Sequence, residues 1–119
     1  MILFCDTSAL VKLYVDESES REVRRAVAES EAVAVSRVAW VEVHSALARL
    51  SRESSEGQPI QDAVKRHLRQ DWPHFAVVEL TAAITETAGE YTEAFGWRAY
   101  GAMQLASAMR LRAQSGFAV

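Results

Sequence analysis

Three short apolar runs constrain this chain more than any other feature: Ile2-Leu3-Phe4-Cys5, Ala32-Val33-Ala34-Val35 and Ala76-Val77-Val78-Glu79-Leu80. None is long enough for a helix, and each suits a strand without the strict polar alternation of a half-exposed sheet. Helically spaced stretches separate them. Residues 16–30 place Val23, Ala26 and Val27 among charges, with Ser18 or Ser20 as a cap. Ser36 opens a pattern through Val38, Val41, Ser45 and Ala48, and a polar loop at 51–59 precedes a helix over 60–70. Thr81 caps a helix carrying Ala83, Ile84, Ala88 and Tyr91 that stops before Gly96, and residues 98–114 form another. Residues 116–119 read as the start of a last strand. Strands alternating with helices imply a parallel sheet covered on both faces. The expected fold is a three-layer α/β/α arrangement around a central parallel sheet, in a single domain over residues 1–119.

Charge and cysteine content narrow the function classes. With 13 basic and 16 acidic residues among 119, the formal charge of −3 argues against an architectural DNA binder. A nuclease remains open, because metal ions in an acidic cleft can supply the positive charge that meets a phosphate. Cys5 is the only cysteine, which rules out an intramolecular disulfide and a cysteine zinc cage. The opening residues lack the basic region of a signal peptide, and no stretch approaches the roughly 18 apolar residues of a membrane span. A cytoplasmic protein without a membrane partner is the expectation.

The chemistry centres on Asp6, which ends the first apolar run and is followed by Thr7-Ser8 and a helical stretch. Ligands of open α/β sheets gather beyond the carboxyl ends of the strands. Glu42 lies about one and a half turns into the helix after the second run, near enough to face Asp6 across that edge. Magnesium takes one or two carboxylates and keeps several waters, so this pair meets the minimum for a weak site. The plainer readings are that Asp6 caps a helix or turn and that Glu42 is solvated. Ser8 is placed either to bond Asp6 or to cap the same helix. His44, His67 and His74 lack metal-binding spacing, and neither a nucleophile elbow nor a glycine-rich phosphate loop is present. Arg21, Arg24 and Arg25, and Lys65, Arg66 and Arg69, form two basic patches that suit solvated faces or RNA phosphates. Trp40 reads as core or interface, and no base contact is assigned to it, Trp72 or Trp97.

The segment Asp6-Thr7-Ser8-Ala9-Leu10-Val11-Lys12-Leu13-Tyr14 resembles the opening of PIN domains, especially VapC-type ribonuclease toxins. Ser36-Arg37-Val38-Ala39-Trp40-Val41-Glu42-Val43 resembles that family's second motif, and residues 98–108 its third. The resemblance implies a toxin of a toxin-antitoxin system that cleaves RNA with water activated by magnesium or manganese at Asp6 and Glu42. It also implies Ser8 as a supporting residue that bonds Asp6 or a metal-held water, a homodimer, and an antitoxin that covers the site. Two departures accompany it. Gly101 stands where the family usually has Asp, with Gln104 where it often has His. The family also continues into a segment with a further acid, whereas this chain ends at Val119, so a C-terminally truncated member is expected. The ion would then be held weakly, and Glu79, Glu86 or Glu90 would have to supply any replacement carboxylate. The alternative is a catalytically inactive PIN-like domain that binds an antitoxin or self-associates.

Overall fold

A computed structural model describes residues 1–115, so the strand expected at 116–119 lies outside the described residues. Strands β1 (Ile2–Phe4), β2 (Ala32–Ser36) and β3 (Ala76–Val78) form a parallel sheet in the order β1-β2-β3. The register sets Leu3 beside Val33 and Val35 beside Val77. The helices are α1 (Thr7–Tyr14), α2 (Ser20–Glu29), α3 (Val38–Glu53), α4 (Gly57–Asp71), α5 (Ala82–Phe95) and α6 (Ala99–Ser115), with one 3₁₀ turn at Trp72–His74.

Successive strand side chains point to opposite faces, and here both faces are covered. Val33 and Val35 join Cys5, Leu10, Val43, Leu47, Val64 and Leu68, so α1, α3 and α4 cover one side. Ala34 points the other way and packs with Phe4 and with Ala108 of α6. The small Ala34 and Ala108 let α6 approach the sheet closely. Helix α5 joins this layer through Ile84 and Ala88 against Ala102 and Ala106. The three-layer α/β/α expectation therefore holds, and coverage on both faces explains why the strands lack polar alternation. Leu10, Leu47 and Leu68 are fully buried, each contributing roughly 1.5–3 kcal/mol by removal from water.

Several boundaries differ from the sequence expectation. The loop expected over 51–59 shrinks to residues 54–56, because α3 continues to Glu53 and α4 begins at Gly57. A Cβ at residue 57 would lie 2.3 Å from the Leu50 carbonyl oxygen, so only glycine lets α4 start against the end of α3. Pro59 falls in the first turn of α4, where the missing N–H has no intrahelical acceptor to lose. Neither Ser18 nor Ser20 caps α2. The cap position is Glu19, in the left-handed region at φ 73° and without a side-chain capping bond. Ser20 is buried instead, donating to the Val15 carbonyl and accepting from the Glu17 N–H. Thr81 caps α5 as expected, accepting from the Ile84 N–H, and Gly96 ends that helix.

Candidate active site

The Cys5 N–H donates to the Ala34 carbonyl at 2.9 Å, which carries the pairing of β1 one residue past Phe4. The next residue, Asp6, is thereby delivered to the carboxyl edge of the sheet. Its backbone is extended and its Oδ1 accepts from the Ala9 N–H at 2.9 Å, making it the N-cap of α1. Capping does not compete with ligand binding, because a carboxylate has two oxygens. Asp6 is exposed, and among the described residues no hydrogen bond engages its Oδ2.

Glu42 sits about one turn into α3 and is half-buried. The Thr7 hydroxyl donates to Glu42 Oε1 at 2.9 Å, and Gln104 Nε2 donates to the same oxygen at 2.9 Å. Gln104 Nε2 also donates to Thr7 Oγ1 at 3.0 Å, closing a triangle between α1, α3 and α6. This fixes one oxygen of Glu42 and leaves Oε2 without a hydrogen bond among the described residues. The amide pays for this orientation: Gln104 Oε1 is buried and has no partner among the described residues, at about 1–3 kcal/mol for such a group.

Asp6, Ser8, Glu42 and Gly101 line one open cleft of about 780 Å³, together with Thr7, Glu17, Trp97 and Gln104. The structure thus brings together every expected site position. Ser8 does not cap α1, because Asp6 holds that place, and it makes no bond to Asp6; its Oγ accepts from Lys12 Nζ at 3.2 Å. A Cβ at Gly101 would meet nothing within 4 Å, so no other side chain has filled the space of the family's acid. The proposed replacement acids lie elsewhere. Glu79 takes a bidentate pair from Arg37, at 2.8 and 2.5 Å, and that guanidinium holds its carboxyl below the usual range. Glu86 and Glu90 are exposed on α5 and do not line the cleft. Glu17, from the α1–α2 connection, does line it and escaped the sequence reading. Thr7 and Gln104 were also missed as partners of Glu42; they meet it across 35 and 62 residues, which no local pattern reports.

Hard oxygen donors with a free lone pair suit magnesium or manganese, which retain waters when protein supplies only one or two carboxylates. Asp6 Oδ2 and Glu42 Oε2 fit that requirement for one loosely held ion. Among the described residues no three His, Cys, Asp or Glu side chains are grouped to hold a metal. The histidines stay outside: His44 Nδ1 bonds the Trp40 carbonyl at 2.6 Å, and His67 packs near the Tyr14 ring. Trp40 is half-buried with its ring centroid 5.1 Å from that of Trp72, consistent with packing.

These features define an α/β domain with an acidic cleft at the carboxyl edge of its parallel sheet. The family model for the PIN domain matches residues 3–115, and the chain belongs to that family. Two curated relatives are Ribonuclease VapC45 and Ribonuclease VapC49 of Mycobacterium tuberculosis strains. Each is 32% identical over 108 residues, covering 91% of this chain and 75% of the relative. Among solved structures, M. tuberculosis VapC20, described as a sarcin-ricin loop cleaving toxin, superposes with a TM-score of 0.70 at 20% identity, over 95% of this chain and 84% of that one. A toxin-antitoxin complex from Klebsiella pneumoniae gives 0.68 at 22% identity, over 94% and 81%. Among the described residues no helix is long and apolar enough to cross a membrane.

Proposed function

We propose that this chain is a VapC-type toxin that cleaves RNA, with residues 1–119 acting as one PIN domain in the cytoplasm. The observation that carries the reading is the shared cleft in which Asp6 and Glu42 each have one oxygen fixed by protein and one that no hydrogen bond engages among the described residues. Asp6 Oδ2 and Glu42 Oε2 are the atoms that would hold magnesium or manganese. When bound, the ion supplies positive charge to a phosphate and lowers the pKa of water. The protein's own part is orientation. The α1 N-terminus holds Asp6 in place, and the Thr7–Gln104 pair holds Glu42. The family's partners extend the proposal to an antitoxin that covers the cleft and to a homodimer.

Gly101 favours a second reading, in which the fold is retained to bind an antitoxin or another copy of itself without cleavage. Incubating the purified protein with structured RNA and magnesium or manganese separates the two. The nuclease reading expects cleavage that is abolished by EDTA and by Asp6→Asn. Intact RNA under both ions, or cleavage that Asp6→Asn leaves unchanged, sinks it.

A further inference from the structure

The junction between α5 and α6 reads Phe95-Gly96-Trp97-Arg98-Ala99-Tyr100. Gly96 closes α5 in the left-handed region at φ 66°, with its N–H donating to the Thr92 carbonyl. The chain then turns so that Trp97 lines the cleft of Asp6 and Glu42. Three large rings remain in solvent here: Phe95 at 64%, Trp97 at 44% and Tyr100 at 53% exposure. Arg98, between Trp97 and Tyr100 in sequence, is exposed, and its side chain has no ion pair or hydrogen bond among the described residues.

Three exposed rings within six residues make an apolar patch of the kind that marks a binding surface. Its chemistry differs from an aliphatic docking stripe. Aromatic faces stack on nucleobases, and a guanidinium meets phosphate or stacks on a ring. The rim also continues into the carboxylate cleft through Trp97, which places a stacked base beside the proposed point of cleavage. Arg98 follows Trp97 in sequence and is exposed, so it brings a positive charge to the segment that borders a cleft lined by Asp6, Glu17 and Glu42.

We propose that Trp97 and Tyr100 form a stacking platform for a base of single-stranded RNA, with Arg98 holding an adjacent phosphate. The proposal rests on the ribonuclease reading and names where its substrate lies. Every base has a π-face, so the platform sets affinity more than sequence choice.

The test measures binding of a fluorescein-labelled single-stranded oligoribonucleotide to the Asp6→Asn protein in EDTA, where no cleavage occurs. Trp97→Ala is expected to weaken binding roughly 5- to 150-fold, the range of one lost base stack, whereas Trp97→Phe keeps a ring and most of the affinity. Arg98→Ala is expected to reduce the salt dependence by about one phosphate contact. Unchanged affinity in Trp97→Ala and in Trp97→Ala with Tyr100→Ala overturns the platform. If those variants bind RNA as before but lose a dimer in sedimentation, a second copy covers the rim and the platform is again overturned. RNA cleavage by the chain with Asp6 in place, beside unchanged RNA affinity in the rim variants, rejects the platform and leaves the nuclease reading standing. Absence of both cleavage and binding rejects the two together.

Discussion

Gln104 Nε2 lies 2.9 Å from Glu42 Oε1 and 3.0 Å from the Thr7 hydroxyl, while its own carbonyl oxygen is buried without a partner among the described residues. An amide free to choose would turn its carbonyl towards a donor. The negative charge of Glu42 reverses that preference, because a hydrogen bond to a charged acceptor is worth about 1.5–3 kcal/mol against about 1 kcal/mol for a neutral one. Gln104 thus fixes one oxygen of Glu42, the residue proposed to hold the ion.

Replacing Gln104 by Met keeps length and approximate volume but removes the donor. Partners that orient a metal ligand typically carry about 10- to 100-fold in metal affinity, and a loss of that size is expected for manganese in calorimetry. Gln104→His, which returns an N–H to the position, should recover part of it. Equal manganese affinity in all three proteins would show that Glu42 needs no such support.

Asp6 caps α1 and is also the proposed ion ligand, and two variants divide these roles. Asp6→Ala removes the cap and should destabilise the fold by about 0.5–2 kcal/mol in urea denaturation. Asp6→Asn still caps, so its stability should stay close to the parent while manganese binding falls. Equal destabilisation by Ala and Asn would assign the stability effect to charge and not to capping.

The elements and the two acids were legible in the sequence because their signals are local. An apolar run ending in Asp, and a Glu one turn into a helix, are visible within a few residues. Tertiary terms were not legible. Glu19 adopts a left-handed backbone because buried Ser20 binds the preceding turn, and Gly57 belongs to a helix because it touches the carbonyl of Leu50. Gln104 stands where the family often has His, and its partner Glu42 lies 62 residues away, beyond the reach of any local pattern.

Cys5 offers a test of the core beside the site. It is 2% exposed, and burial, aided by the charge of Asp6, pushes its thiol from 9.0 up to about 11. The unfolded chain releases this proton near pH 9.0, whereas the folded chain keeps it to about pH 11. The unfolded state therefore binds fewer protons in that window, and stability declines as pH rises through it. Tyr14, raised by burial and by its hydrogen bond to Asp71, acts in the same direction. Urea melts should show the decline, and Cys5→Ala should reduce it. An equally steep decline in Cys5→Ala would mean that the thiol is not shielded by the fold.

Gly101→Asp introduces a third carboxylate into open space, since a Cβ there has no neighbour within 4 Å. It should raise magnesium and manganese affinity, because each added carboxylate strengthens a hard-cation site. An affinity no higher than that of the parent would place residue 101 outside the reach of the ion.

The most direct measurement of the central claim is a manganese titration followed by electron paramagnetic resonance, comparing the parent with Asp6→Asn and Glu42→Gln. Joint ligation predicts one ion per chain and a loss of about tenfold or more in affinity from either substitution. Binding that survives both substitutions unchanged would contradict the account and move the ion away from the Asp6–Glu42 cleft.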